Sequence, residues 1–523
     1  MRLIKILLLN LLMITFCFSN SSFEDESKEL ISANFINKEL IINKLSQDYK
    51  DDKKVENLLT NMLAGNLYSL SDSLVYEEKS KYFDLSGVEL LHVNIDELKK
   101  ITINNKLRGT IRSNLVVINL TSSDDKVRLK AAKDLLANIN EDSLALIETA
   151  LKSEKNSKVS DVLHEGLDIL NAKYLTGEKQ LDAINNLGDY LSPQALQVLN
   201  ELKDSSDEAV KNAAIESITS IEHSKKFYSF LETFFFGLSA GSVLLLAAMG
   251  LAITFGVMKV INMAHGELIM LGAYTTYTVQ QLMPNFIGAS IIVSIPLAFL
   301  VSALVGILIE RLVIRHLYKR PLEALLATFG ISLILQQLVR SIYSPLNKEV
   351  KTPEWLSGSL EINNVLSLTY NRLYIIIFAL IVFAFLLFVM KKTSLGLKVR
   401  AVSQNRNMAK AMGIKTEWID ALTFGIGSGI AGVAGVALSQ LTNVGPNLGQ
   451  AYIVDSFMVV VFGGVGNLWG TLIAALSLGE ISKIIEPISG AVLAKVLILI
   501  FVIIFIQKRP RGLFPQKGRD AED

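Results

Sequence analysis

From Phe234 onward, long apolar runs follow one another with few interruptions, and nothing else in the sequence restricts the fold as strongly. Runs of adequate length lie near 233–258, 260–281, 287–309, 323–343, 373–390, 418–440, 451–465, 469–487 and 491–507. Crossing the hydrocarbon of a bilayer takes about 20 apolar residues. No water is available there to bond the backbone, so crossing segments are expected to be helices. The expected fold is all-α, a polytopic helical membrane protein of about 8–9 spans, some of them broken by glycine. The count depends on 451–465 and 469–487, which are crossings or half-spans meeting at Gly463-Gly-Val-Gly-Asn-Leu-Trp-Gly470.

The chain before Lys226 is of another kind. The net charge of +1 is a cancellation: residues 20–226 hold 35 acidic against 26 basic side chains, whereas 227–523 hold 15 against 23. Met1–Ser22 has a basic start at Arg2 and Lys5 and an apolar run from Ile6 to Phe18, the pattern of an export signal. Cleavage is expected after Ser19, which would remove Cys17, the single cysteine, and with it any disulfide chemistry. Expected domains are therefore 1–19 signal peptide, 20–226 exported helical domain, 227–515 membrane domain and 516–523 tail.

Apolar residues in 27–224 recur at three and four, as in Ala131, Leu135, Leu136 and Ile139, and predict short amphipathic helices. Three phrases starting at Asp125, Ser157 and Glu208 each place Val eight positions before Leu or Ile, at irregular spacing. This resembles a degenerate α-solenoid, a protein-binding architecture. His92, His164 and His223 stand isolated and read as solvated or packed side chains rather than metal ligands.

Basic clusters at Arg311–Arg320, Lys391–Lys415 and Lys508–Arg511 mark one side of the bilayer, and the charge-balanced loop 347–372 marks the other. The positive-inside rule puts the basic side in the cytoplasm, with the C-terminus, and the exported domain in the periplasm. Basic charge explained by topology gives no reason to invoke nucleic acid; the lipid bilayer is the expected surrounding.

Polar groups inside the apolar half are costly and need a role. Asn262, His265 and Glu267 are the most conspicuous, with Gly266 between the last two. They either line a substrate path or bond backbone freed by a helix break at Gly266. Thr254, Gln336, Gln337, Ser456 and Asn467 have the amide and hydroxyl chemistry for a path to a small neutral solute, and equally for helix packing. Gly425–Gly435 is glycine-rich and predicts close helix contact. On the inner side, Thr393–Ile414 contains no acid and predicts a short helix, a turn and a second short helix stopped at Gly413. Such a unit suits insertion into a groove of another protein, or rest on anionic lipid. There is no phosphate loop, no nucleophile–base constellation and no metal spacing, so no cofactor is expected and ATP hydrolysis belongs to other subunits.

The inner loop resembles the ATPase-coupling loop of ABC importer permeases. Together with Phe255-Gly-Val-Met-Lys-Val-Ile-Asn-Met-Ala-His-Gly-Glu267 it is similar to the high-affinity branched-chain amino acid permease family, over about 233–515. Val454–Thr471, the ending Gln507–Pro515 and the long exported extension resemble the urea-transport branch. The resemblance implies a permease that pairs with a second homologous permease, two cytoplasmic ATP-binding subunits and a periplasmic urea-binding protein. It assigns Gly396, Arg400, Ala401, Asn405, Ala411 and Gly413 to coupling, and Asn262, His265, Glu267, Gln336, Ser456 and Asn467 to the path. Amino acid transport stays open, because Glu267, Arg340 and Asp455 are present to meet a zwitterion. A passive urea channel needs no coupling loop, and a mere membrane-anchored scaffold needs no buried polar groups.

Overall fold

The computed structural model describes residues 23–49, 52–91, 93–94, 97–318 and 320–514. The expected signal peptide at 1–19, the tail at 516–523 and His92 lie outside the described residues. Two compact units divide the chain at Ser224 and Lys225.

The first unit opens with α1 (Phe23–Ser32), α2 (Phe35–Asp48) and α3 (Lys53–Ala64). Side-chain oxygens of Asn34 and Asp52 cap α2 and α3 by accepting backbone N–H groups. Strands then follow where the periodicity predicted only helices: β1 (Leu67–Leu70), β2 (Ser73–Glu78), β3 (Lys81–Asp84) and β4 (Leu98–Lys100). They form an antiparallel sheet of order β3-β2-β1-β4. Its turns explain it. Ser71 and the pair Lys79–Ser80 take positive φ, the conformation that closes two-residue hairpins with the twist of the strands. Leu67 and Leu74 from the sheet share a core with Leu30, Ile42, Leu58 and Ile111.

Next come α4 (Asn105–Leu120), α5 (Asp125–Ala137), α6 (Ser143–Ser153), α7 (Ser157–Tyr174), α8 (Glu178–Leu187) and α9 (Pro193–Leu202). The predicted stripe is buried at Ala131, Leu135 and Leu136. Helix α7 packs on α5, α6, α8 and α9. Arg128 on α5 grips Glu154, just past α6, through two N–H donors at 2.8 and 3.0 Å. The Glu154 carboxylate also accepts the backbone N–H of Asn156 and Lys155 at 2.8 Å. Hydrogen bonding by Arg128, aided by these backbone donors, holds Glu154 down at about 2 against the opposing effect of burial.

Helix α10 (Glu208–Met258) is continuous over 51 residues, and the division between units falls within it. After it come α11 (His265–Leu282), α12 (Ile287–Leu312), α13 (Pro321–Tyr343), the hairpin β5 (Ser359–Glu361) and β6 (Ser367–Thr369), and α14 (Tyr370–Lys392). The chain continues with α15 (Ser394–Gln404), α16 (Arg406–Ala411), α17 (Thr416–Ser439), α18 (Leu448–Gly463), α19 (Leu468–Ser489) and α20 (Ala491–Lys508). Among the described residues, seven helices are long and apolar enough to cross a membrane: α10, α12, α13, α14, α17, α19 and α20. The nine apolar runs thus resolve into these seven and two others. Helix α18 is only 16 residues long, and α11 carries His265, Glu267, Gln280 and Gln281 within its 18.

Helix α17 sits at the centre, packed on α11 and α12 and buried almost all round. Glycine makes that possible. A Cβ on Gly272 would stand 2.0 Å from the Gly432 carbonyl, and one on Gly250 2.1 Å from that of Gly427, so backbone meets backbone at both crossings.

Candidate functional site

The polar cluster forms where α10 stops. Lys259 adopts φ +52, a left-handed conformation that ends the helix after Met258. The chain then turns through Asn262, whose side-chain oxygen accepts the Ala264 N–H at 3.0 Å, while Met263 N–H donates to Thr328 Oγ1 on α13 at 3.1 Å. Helix α11 begins at His265. The break therefore precedes Gly266 rather than occurring at it. Gly266 is helical, and its missing side chain admits α18: a Cβ there would lie 2.4 Å from the Gly449 carbonyl.

The three residues of the motif diverge. His265 is fully buried and its Nε2 donates to the Ala247 carbonyl of α10 at 2.9 Å. Glu267 points to α13, where Oε1 accepts from Ser332 Oγ at 2.9 Å and from Gln336 Nε2 at 2.7 Å. Asn262 serves its own turn. Gln336 is thus brought to Glu267, and the pair ties α11 to α13 with a buried hydrogen bond. Among the described residues, Asn262 Nδ2, His265 Nδ1 and Glu267 Oε2 are buried without a partner.

The other proposed path residues are scattered. Ser456 and Thr254 bond back to carbonyls of their own helices, at Tyr452 and Gly250. Gln337 lies on an exposed face of α13. Asn467 caps α19 by accepting from Trp469 and Gly470, and donates to the Phe514 carbonyl at 3.2 Å. Of the charges that might meet a zwitterion, Asp455 pairs with Lys495 at 3.2 Å and Arg340 donates to Asn447 at 2.8 Å.

The inner loop is two short helices. Asn405 ends α15 and caps α16, accepting the Met408 N–H at 2.9 Å. Gly413 takes φ +82 and Ile414 N–H returns to the Ala409 carbonyl at 3.0 Å, the glycine stop that the sequence predicted. Gly396 lies so close to α14 that a Cβ would stand 2.1 Å from the Met390 carbonyl, to which Arg400 also donates. Val399, Val402 and Ala409 are buried against Ile419, Ala401 is half-buried, and Ala411 is exposed. Leu397, Met408 and Met412 point outward, exposed by 63%, 60% and 77%.

Four residues important here escaped the sequence reading. Arg406, first in α16, pairs with fully buried Asp420 of α17 and lies 4.7 Å over the Tyr318 ring. Tyr318 in turn donates to buried Glu310 at the end of α12 at 2.5 Å. Glu310 and Asp420 are acids embedded in apolar helices, the signal that would have found them. Separately, Arg400 and Asn467 line one cavity of about 820 Å³ with Lys391 and Arg511. Among the described residues, no group of three His, Cys, Asp or Glu side chains is placed to hold a metal ion.

Comparison with known proteins gives this architecture a family. The branched-chain amino acid transport system / permease component family matches residues 233–506. The high-affinity branched-chain amino acid transport system permease protein LivH of Salmonella typhimurium is 32% identical over 282 residues, 52% of this chain and 89% of that protein. Its counterpart BraD of Pseudomonas aeruginosa is 30% identical over 297 residues, 55% and 96% of the two chains. A probable LivH of Methanocaldococcus jannaschii is 27% identical over 286 residues, 52% and 88%. No solved structure matches. With the match confined to the unit that carries the membrane helices, the chain belongs to the branched-chain amino acid transport permease family.

Proposed function

We infer that this chain, a transport subunit and not an enzyme, is the permease of an ATP-driven importer whose cargo is a branched-chain amino acid. The cargo follows from the relatives, which are permeases of branched-chain amino acid transport systems. The observation that carries the ATP-driven reading is the α15–α16 unit. It shows an outward apolar face at Leu397, Met408 and Met412 and is anchored to the transmembrane core through Arg406 and Asp420. A rigid pair of short helices so anchored passes a push from a partner into α17 and α12. The partners are a second homologous permease, two cytoplasmic ATP-binding subunits and a periplasmic binding protein. Residues Gly396, Arg400, Ala401, Asn405, Ala411 and Gly413 frame the docking unit. Asn262, His265, Glu267 and Gln336 gate or support the path from the α10–α11 break.

Urea is the second reading of the cargo. The relatives align with only about half of this chain, and the family match lies wholly within the second unit. The polar groups near the break are amides, hydroxyls and an already bonded Glu267, which suit a neutral amide better than a zwitterion. Uptake of labelled leucine and labelled urea by cells carrying the chain and its partners, with each solute competing against the other, decides between them. Loss of both uptakes when the ATP-binding subunits are inactivated is expected. Uptake that persists would replace the importer with a passive channel.

A further inference from the structure

The cavity of about 820 Å³ gathers the ends of four apolar helices: Gly256 from α10, Met390 and Lys391 from α14, Asn467 before α19 and Arg511 after α20. Helix ends of this kind lie at the depth where hydrocarbon gives way to headgroups. Trp469, half exposed and edge-on to Phe383 at 5.5 Å, has the amphipathic ring favoured at that depth.

Its charge is one-sided. Among the described residues, Lys391, Arg400 and Arg511 line the cavity and no acidic side chain does. Several other cations of this unit have carboxylate partners: Arg406 has Asp420, Lys495 has Asp455 and Arg315 has Glu417. Among the described residues, the only side-chain bond of the three cavity cations is that of Arg400 to the Met390 carbonyl, which fixes the guanidinium in place and leaves further N–H donors for an anion. Three like charges around one hollow repel one another unless an anion enters. Leu387, Met390 and Leu468 supply an apolar wall beside them. An inorganic anion alone would leave that wall bare, whereas a phosphodiester carrying acyl chains meets both chemistries at once.

We propose that this cavity is a binding site for an anionic phospholipid, its phosphate held by Lys391, Arg400 and Arg511 and its first acyl carbons laid along Leu387, Met390 and Leu468. Because Arg400 belongs to α15, the lipid bridges the inner-loop helices to the ends of α14 and α20. A site so built makes the unit that meets the ATP-binding subunits responsive to the anionic lipid content of the membrane. The lipid-binding step does not depend on which cargo is carried.

The test uses the full chain in detergent, titrated with phosphatidylglycerol or with phosphatidylcholine of the same acyl chains and read by native mass spectrometry. Phosphatidylglycerol should be retained selectively. The variant Lys391→Gln/Arg400→Gln/Arg511→Gln should bind it about a hundredfold more weakly, the size expected of three interfacial cations. Arg320→Gln, outside the cavity, should leave binding unchanged. A photoactivatable phosphatidylglycerol bound to the unaltered chain should label the peptide containing Leu387 and Met390, which keeps the test valid if the triple variant fails to fold. Equal affinity for the two lipids, undiminished binding by a folded triple variant, labelling elsewhere, or full displacement by millimolar inorganic phosphate would each overturn the proposal.

Discussion

Glu267 illustrates why a buried charge is informative only together with its partners. Its carboxylate accepts from Ser332 and Gln336, so its cost in the membrane is offset locally and its geometry joins α11 to α13. Replacing Gln336 by Leu withdraws a donor and leaves Glu267 with Ser332 alone of its two donors, a loss of about 1–3 kcal/mol. The amount of assembled protein and its thermal midpoint should fall in Gln336→Leu, and fall less in Glu267→Gln, which keeps the shape and an accepting oxygen. Equal stability of both variants would show that the bond contributes nothing. Asn262 is a sharper case for transport. Its side chain holds the turn at the break, so Asn262→Leu should cut uptake while Asn262→Asp, which retains the accepting oxygen, keeps more of it. The sequence exposed these residues because polar groups stand out in apolar runs. It did not disclose that they diverge, since direction depends on where the helix stops, and the stop comes from the left-handed Lys259 and not from the visible Gly266.

Among the elements, the pairing of α5 with the end of α6 predicts a pH response. Glu154 sits at about 2 when folded, below the ordinary 4.5. A carboxylate so depressed contributes stability that is complete above 4.5 and is lost as the pH falls towards 2. Hydrogen-exchange protection of residues 122–156 in the full chain should therefore decline over that interval. Glu154→Gln should show less protection at neutral pH and little of the acid-dependent decline. The inner loop gives a second prediction at this scale. Arg406 is the strut between α16 and the buried Asp420, so Arg406→Gln should lower the cargo moved per ATP hydrolysed while hydrolysis continues. Gly413→Val should act differently: no atom lies within 4 Å of its Cβ position, and only the positive φ resists, costing about 1–3 kcal/mol. The two short helices were legible from the glycine stop and the missing acids. The sheet β1–β4 was not, because strands this short lack a periodicity distinguishable from helix, and their turns use Ser and Lys at positive φ where Asn-Gly would have announced a hairpin.

On the scale of the whole molecule, the crossing number follows from which ends meet. Among the described residues, only seven helices qualify by length and composition, and α11 and α18 do not. Yet Gly256 at the end of α10, Lys391 at the end of α14, Asn467 between α18 and α19, and Arg511 after α20 line the same cavity. Ends that share a wall lie on one side of the membrane. Between α10 and α14 the chain must then cross an even number of times, which requires α11 to cross with α12, α13 and α14. Between α14 and Asn467 it must do so again, which requires α18 to cross with α17. Polar α11 is tolerated because it is packed against α12, α17 and α18 instead of facing lipid. Nine crossings place the basic ends of α12, α14 and α20 together, and by the positive-inside rule we propose that this side is cytoplasmic and the first unit exported. A reporter fused after Ser220 should behave as periplasmic and one after Arg519 as cytoplasmic. Cysteines introduced at Leu282, the last residue of α11, and at Asn447 before α18 should be labelled only from outside. Labelling of either one from the cytoplasmic side would mean that its helix turns back within the membrane, and the shared side of the four helix ends would have to be abandoned.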